Sequence, residues 1–111
     1  MTLAELAAGK CAPLSGAAQR LDTLRVSELL ALLPGWEYTG GEIVRTFGFN
    51  NYEEALDFVN EVAHLAQRQD HHPDIAFGYQ HCRVAWSTHS VDGLSMNDFI
   101  CAAKVEALHN P

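Results

Sequence analysis

The chain has 111 residues, 48% of them hydrophobic, and a formal net charge of −7 at pH 7. That length suits one domain, with apolar content enough for a core that needs no disulfide or metal staple. The acidic balance argues against direct nucleic-acid binding, which wants a basic face for phosphates, and against an anionic membrane surface.

Residues 1–26 hold several Ala and Gly and no sustained amphipathic pattern. They read as an N-terminal extension, partly ordered at best, with the folded domain expected over 27–111. Ser27 can cap a short helix through Leu33, which Pro34-Gly35 stops. Trp36 to Thr39 reads as a strand, Gly40-Gly41 as a tight turn, and Glu42 to Phe49 as the returning strand, with Ile43, Arg45, Phe47 and Phe49 facing one way. Asn50 with Glu53 forms a plausible capping box for a long helix. Ala55, Phe58, Val59, Val62, Leu65 and Ala66 make its buried stripe.

Pro73 forbids that helix to continue, so Asp70, His71 and His72 fall at or just past its end. Asp74 to Phe77 gives a third strand, and Tyr79 to His89 the fourth and longest. Along the fourth, Cys82, Val84, Trp86 and Thr88 face the helices, which leaves His81, Arg83, Ala85, Ser87 and His89 on the open face. After Asp92-Gly93, Ser95 caps a last helix, with Leu94 and Phe99 as its hydrophobic staple and Met96, Ile100, Ala103 and Ala107 along one face. The order is β-β-α-β-β-α after a short N-terminal helix. It predicts an α+β fold, a two-layer sandwich of a four-stranded antiparallel sheet with helices on one face.

Cys11, Cys82 and Cys101 are odd in number and include no C-x-x-C. They speak against a disulfide framework and for a reducing cytoplasm. Glu5 interrupts any signal-peptide pattern, and Lys10 before Cys11 argues against a lipoprotein cleavage site. No segment has the apolar length of a membrane span.

The chemistry concentrates in Asp70-His71-His72-Pro73, Tyr79, Ser87-Thr88-His89 and Asp98. Imidazoles titrate near neutrality, so such a cluster points to acid–base work. Each residue also has a plainer reading. His71 and His72 can be polar loop residues at a helix C-terminus. Asp98 stands at the third position of its helix, where it can cap. The two roles of Asp98 are compatible, since one carboxylate oxygen can cap while the other orients an imidazole. A metal site is not expected: no H-x-x-x-H or H-E-x-x-H pair occurs, and His81 and Cys82 point to opposite faces of a strand. Cys82 and Cys101 lack an adjacent base, which argues against a cysteine nucleophile.

Together, His71-His72-Pro73, Tyr79, His89 and Asp98 resemble the pterin-4a-carbinolamine dehydratases over roughly residues 27–108. Gly35-Trp36, Ser87-Thr88-His89 and Gly93-Leu94-Ser95 also look like family positions. The resemblance implies dehydration of 4a-hydroxytetrahydropterin to quinonoid dihydropterin, without metal or cofactor, a step in returning the cofactor that aromatic amino-acid hydroxylases use. It implies His71 and His89 as alternative general acids, His72 holding and polarising the pterin, and Asp98 orienting an imidazole. Asp70, Ser87 and Thr88 would line the ring-binding groove, and Tyr79 looks structural as much as catalytic. A homodimer or homotetramer is also implied. Gln67 departs from the charged residue of many members and is expected to alter the charge near the first histidine. The rival reading is a binding module of the same fold, a coactivator or an assembly factor; it is under no demand to keep His71, His72, His89 and Asp98 together.

Overall fold

Thr2 opens the first helix of the computed structural model, which describes residues 1–14 and 16–110; Ser15 of the expected extension and Pro111 at the end of the expected domain lie outside the described residues. The Thr2 hydroxyl accepts from the Glu5 amide, and the Glu5 carboxylate accepts from the Thr2 amide, both at 3.1 Å. This reciprocal cap starts α1 (Leu3–Ala7), whose Leu6 is 2% exposed within the core. The expectation of a partly ordered extension is therefore corrected. Five residues are too few to show periodicity, yet one buried leucine, a cap and tertiary contacts hold them.

A short 3-10 turn (Ala17–Gln19) leads to α2 (Thr23–Leu30). Its cap is Asp22, which accepts from the Arg25 amide at 2.8 Å, so Ser27 lies inside the helix rather than at its start. The expected boundary between residues 26 and 27 falls within this helix.

The hairpin β1 (Glu37–Thr39) and β2 (Glu42–Gly48) turns on Gly40 and Gly41, both at positive φ (58° and 83°), as a two-residue primed turn requires. Trp36 precedes β1 rather than joining it. It is buried, and its indole donates to Glu106 Oε1 at 2.6 Å. The next helix, α3 (Tyr52–Gln69), is capped one residue later than the sequence suggested: Asn51 accepts from the Glu54 amide at 2.9 Å, and Glu54 accepts from the Asn50 amide at 3.0 Å. Its stripe buries Ala55, Phe58, Val62, Leu65 and Ala66 as expected, while Val59 at the edge of the stripe is only partly buried against the core.

Strands β3 (Asp74–Phe77) and β4 (His81–Trp86) complete an antiparallel sheet of order β1-β2-β4-β3. Its register sets Ile43 opposite Trp86 and Phe47 opposite Cys82. These four side chains, with Val84, are at most 1% exposed on the face that α3 and α4 (Met96–His109) cover. Burying each large apolar side chain here contributes roughly 1.5–3 kcal/mol. Val44 and Ala85 are also buried on the opposite face, which is less polar than its alternation implied.

β4 ends at Trp86, not at His89. The chain closes on itself instead: Thr88 and Gly93 pair as an isolated bridge around a 3-10 turn (His89–Val91), and Asp92 takes positive φ (54°) to complete it. His89 therefore sits on a turn, not on the open face of the sheet.

Helix α4 is buried nearly all round, which its neighbours explain. Phe99, Ala102 and Val105 are fully buried in the core. Ile100 lies against the N-terminal segment, its Cδ1 3.2 Å from where a Cβ on Gly9 would be. Lys104 Nζ donates to the Ala7 carbonyl at 2.8 Å and fastens α1 to α4.

Candidate active site

Asp70 ends α3 in the left-handed conformation (φ 51°, ψ 41°), and the His71 amide returns to the Ala66 carbonyl at 3.2 Å. This reversal sends consecutive histidines in opposite directions. The His71 side chain is 12% exposed, whereas His72 faces solvent.

The His71 imidazole lies nearly parallel to the Trp86 indole, with centroids 5.5 Å apart and planes at 12°. Its Nε2 is 2.6 Å from Asp98 Oδ1. Asp98 is 0% exposed, and its other oxygen accepts from the Thr88 hydroxyl at 2.7 Å and the Ser95 amide at 2.9 Å. Thr88 and Ser95 share a further hydroxyl contact at 2.8 Å. One carboxylate thus caps α4 through Oδ2 and holds an imidazole through Oδ1. An ionised carboxylate only accepts, so His71 Nε2–H donates to it and Nδ1 is left for other chemistry.

Burial opposes the charged imidazolium of His71. The Asp98 hydrogen bond and charge, helped by Cys11 and Asp70, outweigh burial and raise its pKa above the ordinary 6.5. The ring therefore keeps a second proton to higher pH than an ordinary imidazole does.

His72 Nε2 stands 2.9 Å from Gln67 Oε1. Gln67 was expected to act near the first histidine; the helix end instead turns the second one back onto it. His89 and Ser87 line a cleft of about 170 Å³ with Thr88, Asp92 and the Gly40-Gly41 turn. Thr88 borders this cleft, but its hydroxyl is engaged by Asp98 and Ser95. Asp70 is exposed beside His71 in the chain. Tyr79 is 67% exposed and stacks on Tyr52 at 6.4 Å between centroids, outside this network.

Direct bonds thus join His71, Asp98 and Thr88, while His72 and Asp70 flank them at the end of α3, and His89 and Ser87 lie at the cleft. The sequence reading paired Asp98 with its cap, Ser95, as the structure does, but missed Trp86 as a partner of this network. Trp86 shared a strand face with Thr88, a spacing that carried the signal. Cys82 is fully buried, and burial pushes its thiol up to about 11, which leaves it a poor nucleophile. Among the described residues, no three His, Cys, Asp or Glu side chains gather as a metal site, and no helix is long and apolar enough to cross a membrane.

The sheet order, the helices on one face and the buried histidine–carboxylate pair define an α+β sandwich with a candidate acid–base site. The structure is similar to the transcriptional coactivator/pterin dehydratase from Brucella melitensis (TM-score 0.77, 32% identity, covering 80% of this chain and 97% of that one). It shares its fold with a pterin dehydratase-like RuBisCO assembly factor of the alpha-carboxysome (TM-score 0.60, 23% identity, covering 68% and 90%). The family model for pterin 4 alpha carbinolamine dehydratase matches residues 19–108. A protein of Nitrosospira multiformis, provisionally named pterin-4-alpha-carbinolamine dehydratase, is 46% identical over 107 residues, covering 96% of this chain and 95% of its own. One of Stenotrophomonas maltophilia with the same provisional name is 48% identical over 108 residues, covering 96% and 93%. The chain belongs to the pterin-4-alpha-carbinolamine dehydratase family, a family of hydro-lyases.

Proposed function

We propose that this protein removes water from 4a-hydroxytetrahydropterin, giving quinonoid dihydropterin, by histidine general acid–base catalysis. The observation that carries the reading is the buried Asp98 holding His71 by Nε2. Hydroxide leaves poorly, so the 4a-oxygen must take a proton as its bond to carbon breaks, and the ring nitrogen must release one. His71 Nδ1 supplies the first proton for one epimer of the 4a-carbon, and His89 supplies it for the other. His72 holds and polarises the pterin, and Asp70, Ser87 and the Thr88 backbone line its groove. In this reading the protein works in the cytoplasm as a homodimer or homotetramer, returning pterin to an aromatic amino-acid hydroxylase.

The test is stopped-flow absorbance of 4a-hydroxytetrahydropterin generated in situ. The wild-type protein should accelerate its decay, and His71→Ala or His72→Ala should reduce that acceleration by about 10²–10⁴-fold. A wild-type rate equal to the spontaneous one would reject the enzyme and favour the binding-module reading, which the coactivator named in the Brucella melitensis neighbour supports.

A further inference from the structure

After α1 the chain crosses the seam between the C-terminal end of α3 and the first turns of α4. The Cys11 amide donates to Gln69 Oε1 at 3.0 Å. Ala12 and Asn97 exchange two hydrogen bonds, at 3.0 and 2.7 Å. These contacts bring Cys11 Sγ to 3.3 Å from Cys101 Sγ, across a separation of 90 residues. Both thiols are free; Cys11 is half-buried, and Cys101 is 0% exposed.

We propose that Cys11 and Cys101 are a peroxide-oxidised thiol pair, Cys11 the attacking sulfur and Cys101 the resolving one, whose disulfide fastens the N-terminal segment to α4. The roles follow from access and environment. Cys11 is the partly exposed member of the pair, and Cys101 the buried one. The hydrogen bond from Cys101 lowers its thiol against the opposing effect of burial, and the charges of His71 and Lys104 lower it further. The same hydrogen bond, with burial, raises Cys101, which therefore keeps its proton for the leaving group. A disulfide needs about 2.05 Å between sulfurs, a closure of roughly 1 Å that the loop bearing Cys11 can supply.

The Cys11 thiolate attacks one oxygen of hydrogen peroxide. The O–O bond breaks, Cys11 becomes the sulfenic acid, and the departing hydroxide takes up a proton as water. The Cys101 sulfur then attacks Cys11, the S–O bond breaks, and hydroxide leaves with the Cys101 proton as a second water. Two electrons pass from the sulfurs to peroxide. A dithiol reverses the step by exchange. This inference is independent of the dehydratase reading.

The experiment treats the intact protein with hydrogen peroxide and counts thiols, with peptide mapping. The free thiols should fall from three to one, with the loss of two hydrogens and a Cys11–Cys101 cross-linked peptide; dithiothreitol should restore all three. Cys101→Ser, or Cys101→Ala where serine disturbs the core, should leave a sulfenic acid at Cys11 that dimedone traps, and Cys11→Ser should protect Cys101. Persistence of all three thiols in the wild type, a cross-link through Cys82, or oxidation of Cys101 in Cys11→Ser would overturn the proposal. The wild-type map decides the matter even where a variant fails to fold.

Discussion

At His71 the balance lies between burial, which disfavours charge, and Asp98, which favours it and prevails. In the proposed role of general acid His71 must be protonated, so activity should fall as pH rises through its pKa. Asp98→Asn keeps an acceptor oxygen but removes the charge, and His71 then loses its proton at lower pH. The falling limb of the pH–rate profile should move to lower pH in Asp98→Asn, with a smaller maximal rate; an unmoved limb would assign that limb to another group. The same pair has a stability signature. The folded pKa of His71 is raised above 6.5, so its charged contact with Asp98 contributes fully below 6.5 and is lost as pH rises through the folded value. Urea unfolding of the wild type and His71→Gln should therefore differ more below pH 6.5 than well above it. A gap that stays constant with pH would mean that the contact acts without a charge on His71.

Among the elements, α3 gives a sharp test of its own start. Asn51 bonds the Glu54 amide through its side chain, whereas Asn50 contributes its backbone amide, which any residue but proline supplies. Asn51→Ala should cost about 1 kcal/mol in chemical denaturation, and Asn50→Ala should stay within about 0.5 kcal/mol. Reversed effects would return the cap to Asn50. Two adjacent asparagines, each followed three residues later by a glutamate, offer the same local pattern twice, and only the backbone of the preceding hairpin chooses between them. Periodicity was informative where the environment has two sides: the α3 stripe and the Cys82-Val84-Trp86 face were legible. The end of β4 was not, because Ser87-Thr88-His89 continues the alternation while the bridge from Thr88 to Gly93 pulls the chain off the sheet. The dual use of Asp98 was legible from its place at the third position of α4. The stacking of His71 on Trp86 was not, since it depends on how α3 lies across the sheet.

In the molecule as a whole, the N-terminal segment is where sequence and structure diverge most, and α4 explains why. Ile100, Ala103 and Ala107 were legible as an apolar stripe, but nothing local says what covers it. The sheet takes the other side of α4, so a second cover is needed. α1 supplies it, with Leu6 buried in the common core and Lys104 bonded back to Ala7. If residues 1–26 were only an appendage, Leu6→Ala would change stability by less than about 0.5 kcal/mol. A fully buried leucine leaves a cavity when truncated, so the expected loss is about 2–5 kcal/mol in equilibrium urea unfolding. Leu3→Ala makes the internal control, because Leu3 lies on the same helix but is 37% exposed. Equal small effects at both positions would detach α1 from the core. A large effect at Leu6 alone would make the folded unit begin at α1 rather than at residue 27, and would carry Cys11 into that unit beside the end of α3 that bears His71.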